Sequence, residues 1–106
     1  MDFEETCRRI AAFTEARDWD QFHSPENLAK SISIEAAELL ECFQWNPEAD
    51  DERVKEELAD VMNYCIQMAQ KKGFDICRII NDKIDKNEIK YPVEKSRGVS
   101  RKYDSL

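Results

Sequence analysis

Apolar residues recur at every third or fourth position along this chain, and helix-closing signals punctuate the runs; no other feature of the sequence restricts the fold as much. Phe3, Cys7, Ile10 and Thr14 share one face of a first helix over about residues 3–16. The segment Arg17-Asp18-Trp19-Asp20-Gln21-Phe22-His23 then forms a loop. Ser24 reads as an N-cap and Pro25 as the first helical residue, where a missing N–H costs nothing. A second helix continues to about Phe43, before Asn46-Pro47 stops it. The acidic run from Glu48 to Glu52 opens a third helix, where negative charge suits the helix dipole. Lys71-Lys72-Gly73 closes it with cations and a residue free to turn left-handed. Asp75 caps a fourth helix, which runs to the residue or two before Pro92. Residues 93–106 read as a polar, basic tail without apolar period.

With only two glycines and three prolines, the chain lacks the turn residues of an all-β sandwich or barrel. Charged residues make up 37% of it, but the helical period of the apolar ones argues against disorder. The expectation is a single all-α domain over residues 1–106, a four-helix bundle with short loops and a polar C-terminal tail. A bundle this small is marginal alone, which favours a homodimer or higher oligomer. No stretch approaches the roughly 20 apolar residues of a membrane span. The start, Met1-Asp2-Phe3-Glu4, lacks the basic-then-apolar pattern of a signal peptide, so a cytoplasmic protein is expected. In that compartment Cys7, Cys42, Cys65 and Cys77, none in a C-x-x-C pair and each on or near an apolar stripe, read as reduced core residues.

The net charge is −7, which argues against a nucleic acid polymer as partner. Residues 1–72 carry eight basic and seventeen acidic side chains; residues 73–106 carry eight basic and six acidic. An acidic body with a basic end suits a small polyanion held through metal ions and a few lysines.

The chemistry shows where acids fall on apolar stripes. Glu35 lies within the Leu28, Ile32, Leu39, Phe43 stripe, and Glu38 follows one turn later on the same edge. On the third helix the stripe is Val54, Leu58, Val61, Cys65 and Met68, with Glu57, Asp60 and Tyr64 along its border. Glu41 points away to solvent. Carboxylates in apolar surroundings need cations, and neither stripe offers Arg or Lys. A hard divalent cation, Mg²⁺ where phosphates complete its shell, or Mn²⁺ as a substitute, meets the need. For Glu57 and Asp60 alone, a solvated rim would explain the pattern; Glu35 makes metal ligation the better reading.

On the fourth helix Lys83 and Asn87 continue the inward line of Ile76 and Ile80. They are either fraying toward solvent or a cation and an amide donor for phosphate oxygens. Trp19, Phe22 and His23 in the first loop, Trp45 in the second and Tyr64 beside the acids either plug the bundle ends or form a base-stacking pocket.

Glu35-Ala36-Ala37-Glu38 followed by Glu57-Leu58-Ala59-Asp60 resembles the ExxE…ExxD metal motif of the all-α nucleoside triphosphate pyrophosphohydrolases, the MazG-like superfamily. Ala16 to His23, Asn27-Leu28, Glu41 to Trp45, Tyr91-Pro92 and Ser100 to Tyr103 are similar to its dCTP pyrophosphatase branch. The resemblance implies a helical bundle of MazG-like type that assembles into dimers or tetramers. It implies that Glu35, Glu38, Glu57 and Asp60 bind Mg²⁺, that Trp19, Trp45 and Tyr64 contact the nucleotide, and that Lys83 and Asn87 face the phosphates. The implied reaction converts a nucleoside triphosphate, dCTP or a related pyrimidine nucleotide, to monophosphate and pyrophosphate. Glu38, at the open edge of the cluster, is the candidate to orient or deprotonate the attacking water. Two other classes are consistent with the residues: a bundle that binds nucleotide or metal without turnover, and a structural bundle acting through protein partners.

Overall fold

The computed structural model describes residues 1–105. All its regular structure is helical: α1 (Phe3–Ala16), α2 (Pro25–Glu41), α3 (Asp51–Lys72), α4 (Ile76–Lys90) and a single turn, α5 (Val93–Ser96), with 3-10 turns at Asp20–Phe22 and Tyr103–Ser105. The all-α class and the four long helices expected from the sequence are present. The chain forms two compact units, Met1–Gly73 and a second that begins at Phe74.

Local chemistry explains the helix limits. Asp2, Ser24 and Asp75 each accept a backbone N–H three residues on, from Glu5, Asn27 and Arg78, at 2.8, 3.1 and 3.1 Å. Each bond satisfies a donor that the first helical turn leaves free. Gly73 ends α3 with φ of +71°, the left-handed conformation that an L side chain resists. α2 ends at Glu41, two residues short of the expected Phe43. The N–H groups of Cys42, Phe43 and Gln44 turn to carbonyls three residues back, tightening the end into turns.

In the first unit α3 packs chiefly along α2 and also meets α1. The core centres on Leu28, Ile66 and Ala69, with Thr14 the buried polar member. Thr14 stays satisfied because its hydroxyl donates to the Ile10 carbonyl at 3.2 Å. The expected stripe of α3 needs correction: Leu58 is 48% exposed, whereas Ile66 and Ala69 are buried. Residues 63 to 69 are all half-buried or buried, while the N-terminal half buries only an edge through Val54, Glu57 and Val61. Near its C-terminus α3 also reaches α1, where Gln70 donates to the Cys7 carbonyl at 2.9 Å. A helix with two neighbours buries more than one stripe. Phe43 is likewise exposed. The cysteines are free, as expected, but Cys77 is exposed and so is no core residue.

The loop after α1 is held by its own side chains. Asp18 adopts a positive φ of 54°, which a short polar side chain tolerates best after glycine. Gln21 donates to both the Asp18 carbonyl and its carboxylate, at 3.1 and 2.9 Å. Asn27 donates to the Phe22 carbonyl at 2.9 Å, and Lys71 pairs with Asp20 at 3.0 Å. These bonds tie the Trp19–His23 segment to α2 and α3.

The second unit holds α4 and the segment after it. That segment, expected as a polar, basic tail, includes one helical turn: the Pro92 carbonyl accepts from Lys95 and Ser96, which starts α5. One turn is too short to leave an apolar period in sequence. Tyr103 lies edge-on to Tyr91, with ring centroids 6.2 Å apart, and Lys90 Nζ sits 5.0 Å from its ring centre. Among the described residues, no helix is long and apolar enough to cross a membrane.

Candidate metal and nucleotide site

Glu35 on α2 and Glu57 and Asp60 on α3 each bring a carboxylate oxygen within 4.8 Å of the other two. Glu35 and Glu57 are half-buried and Asp60 is exposed. Oε2 of Glu35 and Oε2 of Glu57 are buried with no hydrogen-bond partner. Burial raises the Glu35 pKa to about 7, helped by a hydrogen bond and like charge from Glu38 and by the charges of Asp60 and Glu57. Glu57 is raised for the same first reason, then by Glu38 and Asp60, with Arg53 opposing. Glu38 lies outside the converging trio yet faces both of its glutamates.

This donor set fits a hard divalent cation. The ligand atoms are all oxygen, they come from facing helices, and two of the three carboxylates carry a buried oxygen without a protein partner. A cation would reverse the sign of the local field and favour the charged carboxylates, opposing the upward push that burial gives both glutamates.

Beside the acids lies a cavity of about 210 Å³ in the same unit. Phe13, Trp19, His23 and Tyr64 form its aromatic walls, and Asp60 also lines it. The rings meet edge to face: Phe13–Trp19 at 5.7 Å, Trp19–His23 at 6.4 Å and His23–Tyr64 at 6.2 Å between centroids. The structure thus brings Trp19, His23, Tyr64 and Asp60 to one place. Trp45 is not among them; it is 89% exposed, within the loop between α2 and α3. Lys83 and Asn87 stand one turn apart on α4 in the second unit, Lys83 exposed and Asn87 half-buried.

Sequence reasoning missed Phe13, Thr14, Asn63 and Gln67, which complete the cavity lining. Asn63 and Gln67 follow Asp60 at helical spacing, and this polar line was the available signal. A second cavity of about 520 Å³ shares Thr14, His23 and Gln67 with the first. Its rim carries Glu15, Asp18 and the Asp20–Lys71 pair.

The fold and these residues define an all-helical protein with an acid-lined helical hairpin beside an aromatic pocket. The chain belongs to the MazG-like family, whose sequence model matches residues 30–106. It is 40% identical to dCTP pyrophosphatase 1 of Rattus norvegicus over 96% of this chain and 66% of that protein. To the Bos taurus dCTP pyrophosphatase 1 it is 38% identical, over 96% of this chain and 67% of the relative. The chain therefore spans about two thirds of the length of these relatives. A crystal structure of a pyrophosphatase from Archaeoglobus fulgidus superposes with a TM-score of 0.76 and 39% identity, covering 84% of this chain and 91% of that one.

Proposed function

We propose that this chain is a divalent-metal-dependent nucleoside triphosphate pyrophosphohydrolase acting on dCTP or a related pyrimidine nucleotide. The observation that carries the reading is the convergence of Glu35, Glu57 and Asp60, with two buried unpaired oxygens, in a chain of the MazG-like family. The kinship to dCTP pyrophosphatases points to the substrate.

In the proposed reaction, water adds to the α-phosphorus, the bond to the bridging oxygen breaks, and monophosphate and pyrophosphate leave. Glu35, Glu57 and Asp60, together with Glu38, which faces both glutamates, would hold Mg²⁺, or Mn²⁺ in its place. Once bound, the ion offsets phosphate charge and makes water more acidic. Glu38 is the group proposed to orient the attacking water and accept its proton. Trp19, His23 and Tyr64 present ring faces and edges to the base, and Trp45 is the further aromatic proposed to meet it. Lys83 and Asn87 would supply a cation and an amide N–H to phosphate oxygens. A homodimer or homotetramer is part of the proposal, supported by the exposed apolar side chains of Leu40, Phe43, Trp45 and Leu58.

Product analysis tests the proposal. The purified chain with Mg²⁺ is incubated with a panel of nucleoside triphosphates, and the products are separated by chromatography. Monophosphate with pyrophosphate, lost on adding EDTA, is the expected result. Diphosphate with orthophosphate would keep a metal hydrolase but move the bond cleaved. Folded protein giving no product from any nucleotide would leave a binding bundle instead.

A further inference from the structure

Apart from Asp60, the polar side chains that line the aromatic cavity stand outside the proposed cation ligands. Asn63 and Gln67 stand one turn apart on α3, and Gln67 Nε2 donates to Asn63 Oδ1 at 2.7 Å. That bond engages the Asn63 carbonyl and one Gln67 donor. It leaves the Asn63 amide N–H groups and the Gln67 carbonyl uncommitted. Gln67 Oε1 is moreover buried without any partner, and so is Nδ1 of His23, which lines the same cavity. A buried amide oxygen without a donor is unfavourable in the free protein, and a ligand N–H would relieve it.

The cavity is the right size for one ring. At about 210 Å³ it falls below the roughly 300–1,000 Å³ of pockets that enclose whole drug-sized ligands. Rings from Phe13, Trp19, His23 and Tyr64 supply apolar walls, so a planar heterocycle could stack there while its edge meets the amides. The substituent that projects furthest from a pyrimidine is its exocyclic group at C4, and a turn of the Gln67 side chain, which lines the cavity, would present its oxygen to that group. An amine there donates to Gln67 Oε1, and the ring nitrogen beside it accepts from Asn63. In the oxo counterpart the C4 oxygen faces the Gln67 oxygen, and the ring N–H faces the Asn63 N–H groups. Amides read base edges in this paired fashion elsewhere.

We infer that Asn63 and Gln67 read the base edge and set a preference for an amino-bearing pyrimidine over its oxo counterpart. The inference rests on the proposed function and adds to it the residues that select the substrate. Hydrophobic contacts alone discriminate weakly between isosteres, whereas a buried hydrogen-bonding group left unpaired by the wrong one discriminates strongly.

The test compares dCTP with dUTP, which differ only in this amine and oxo pair. Wild type is expected to favour dCTP in kcat/KM. Gln67→Met keeps length and helix propensity, and Asn63→Leu keeps the branching at Cγ in a residue that favours helix; both remove the amides. Each is expected to lower the dCTP to dUTP ratio about tenfold, mainly through the KM for dCTP, with little change in melting temperature. Two results overturn the inference: a wild type with no preference for dCTP, or folded variants that keep the wild-type ratio, water alone then pairing with the amides. Should one variant fail to fold, the other decides. A wild type that hydrolyses neither nucleotide fails the proposed function instead, and the two failures are thereby distinguished.

Discussion

Glu35 shows how one side chain can be a liability to the fold and an asset to function. Its carboxyl titrates near 7 in the folded chain against an ordinary 4.5. Below pH 4.5 both states are protonated and the group is neutral to stability. Between 4.5 and 7 the folded state keeps a proton that the unfolded state has lost, so stability falls as pH rises, and the loss is complete above about 7. The metal-free protein should therefore melt at a lower temperature at pH 8 than at pH 5.5, as followed by circular dichroism in EDTA. Mg²⁺ competes with that proton, so its stabilising effect should grow over the same window. Glu35→Gln removes the charge. It should raise the metal-free melting temperature at pH 8, abolish the Mg²⁺ response and cost more than about 100-fold in kcat/KM, since even outer partners of metal ligands cost 10–100-fold. A variant that keeps most of its rate would remove Glu35 from the site. The position of Glu35 among Ile32 and Leu39 was legible in the sequence because a helix converts spacing into direction. That Glu38 turns to face both glutamates was not, because neighbouring side chains on one face settle by packing and charge.

At the scale of the element, the boundaries were largely written in short signals. Ser24-Pro25 and Lys72-Gly73 each mark a helix end by local chemistry, and local chemistry needs no tertiary partner. Ser24→Ala should cost about 1 kcal/mol in urea unfolding, the usual worth of a capping hydroxyl. Gly73→Ala should cost about 1–2 kcal/mol, because its φ of +71° opposes a Cβ. No atom lies within 4 Å of where that Cβ would stand, so the cost is one of backbone conformation alone. The apolar face of α3 was harder to read. Leu58 obeys the helical period and is nevertheless exposed, because periodicity names a face but not the neighbours that cover it.

At the scale of the molecule, the first unit gathers the acids and the aromatic cavity around α3. Leu28, only 1% exposed, anchors α2 there and borders the larger cavity. Leu28→Ala should destabilise by about 2–5 kcal/mol, toward the upper end if the adjoining space does not collapse. Addition of Mg²⁺ at about 100 times its Kd should stabilise the protein by about 2.7 kcal/mol, and chelation should reverse the shift in a thermal melt. An unchanged melting curve would count against a cation at the acid cluster. The sequence by itself determined the helices, their caps and the direction of Glu35, Glu57 and Asp60, because these follow from backbone hydrogen bonding and a period of 3.6 residues. Only the tertiary structure decided that three of the four acids converge. It alone placed Trp19, His23 and Tyr64 around one cavity while Trp45 stayed outside, and lined that cavity with Asn63 and Gln67. Those are distances between residues far apart in the chain, and they arise from how helices pack rather than from any local rule.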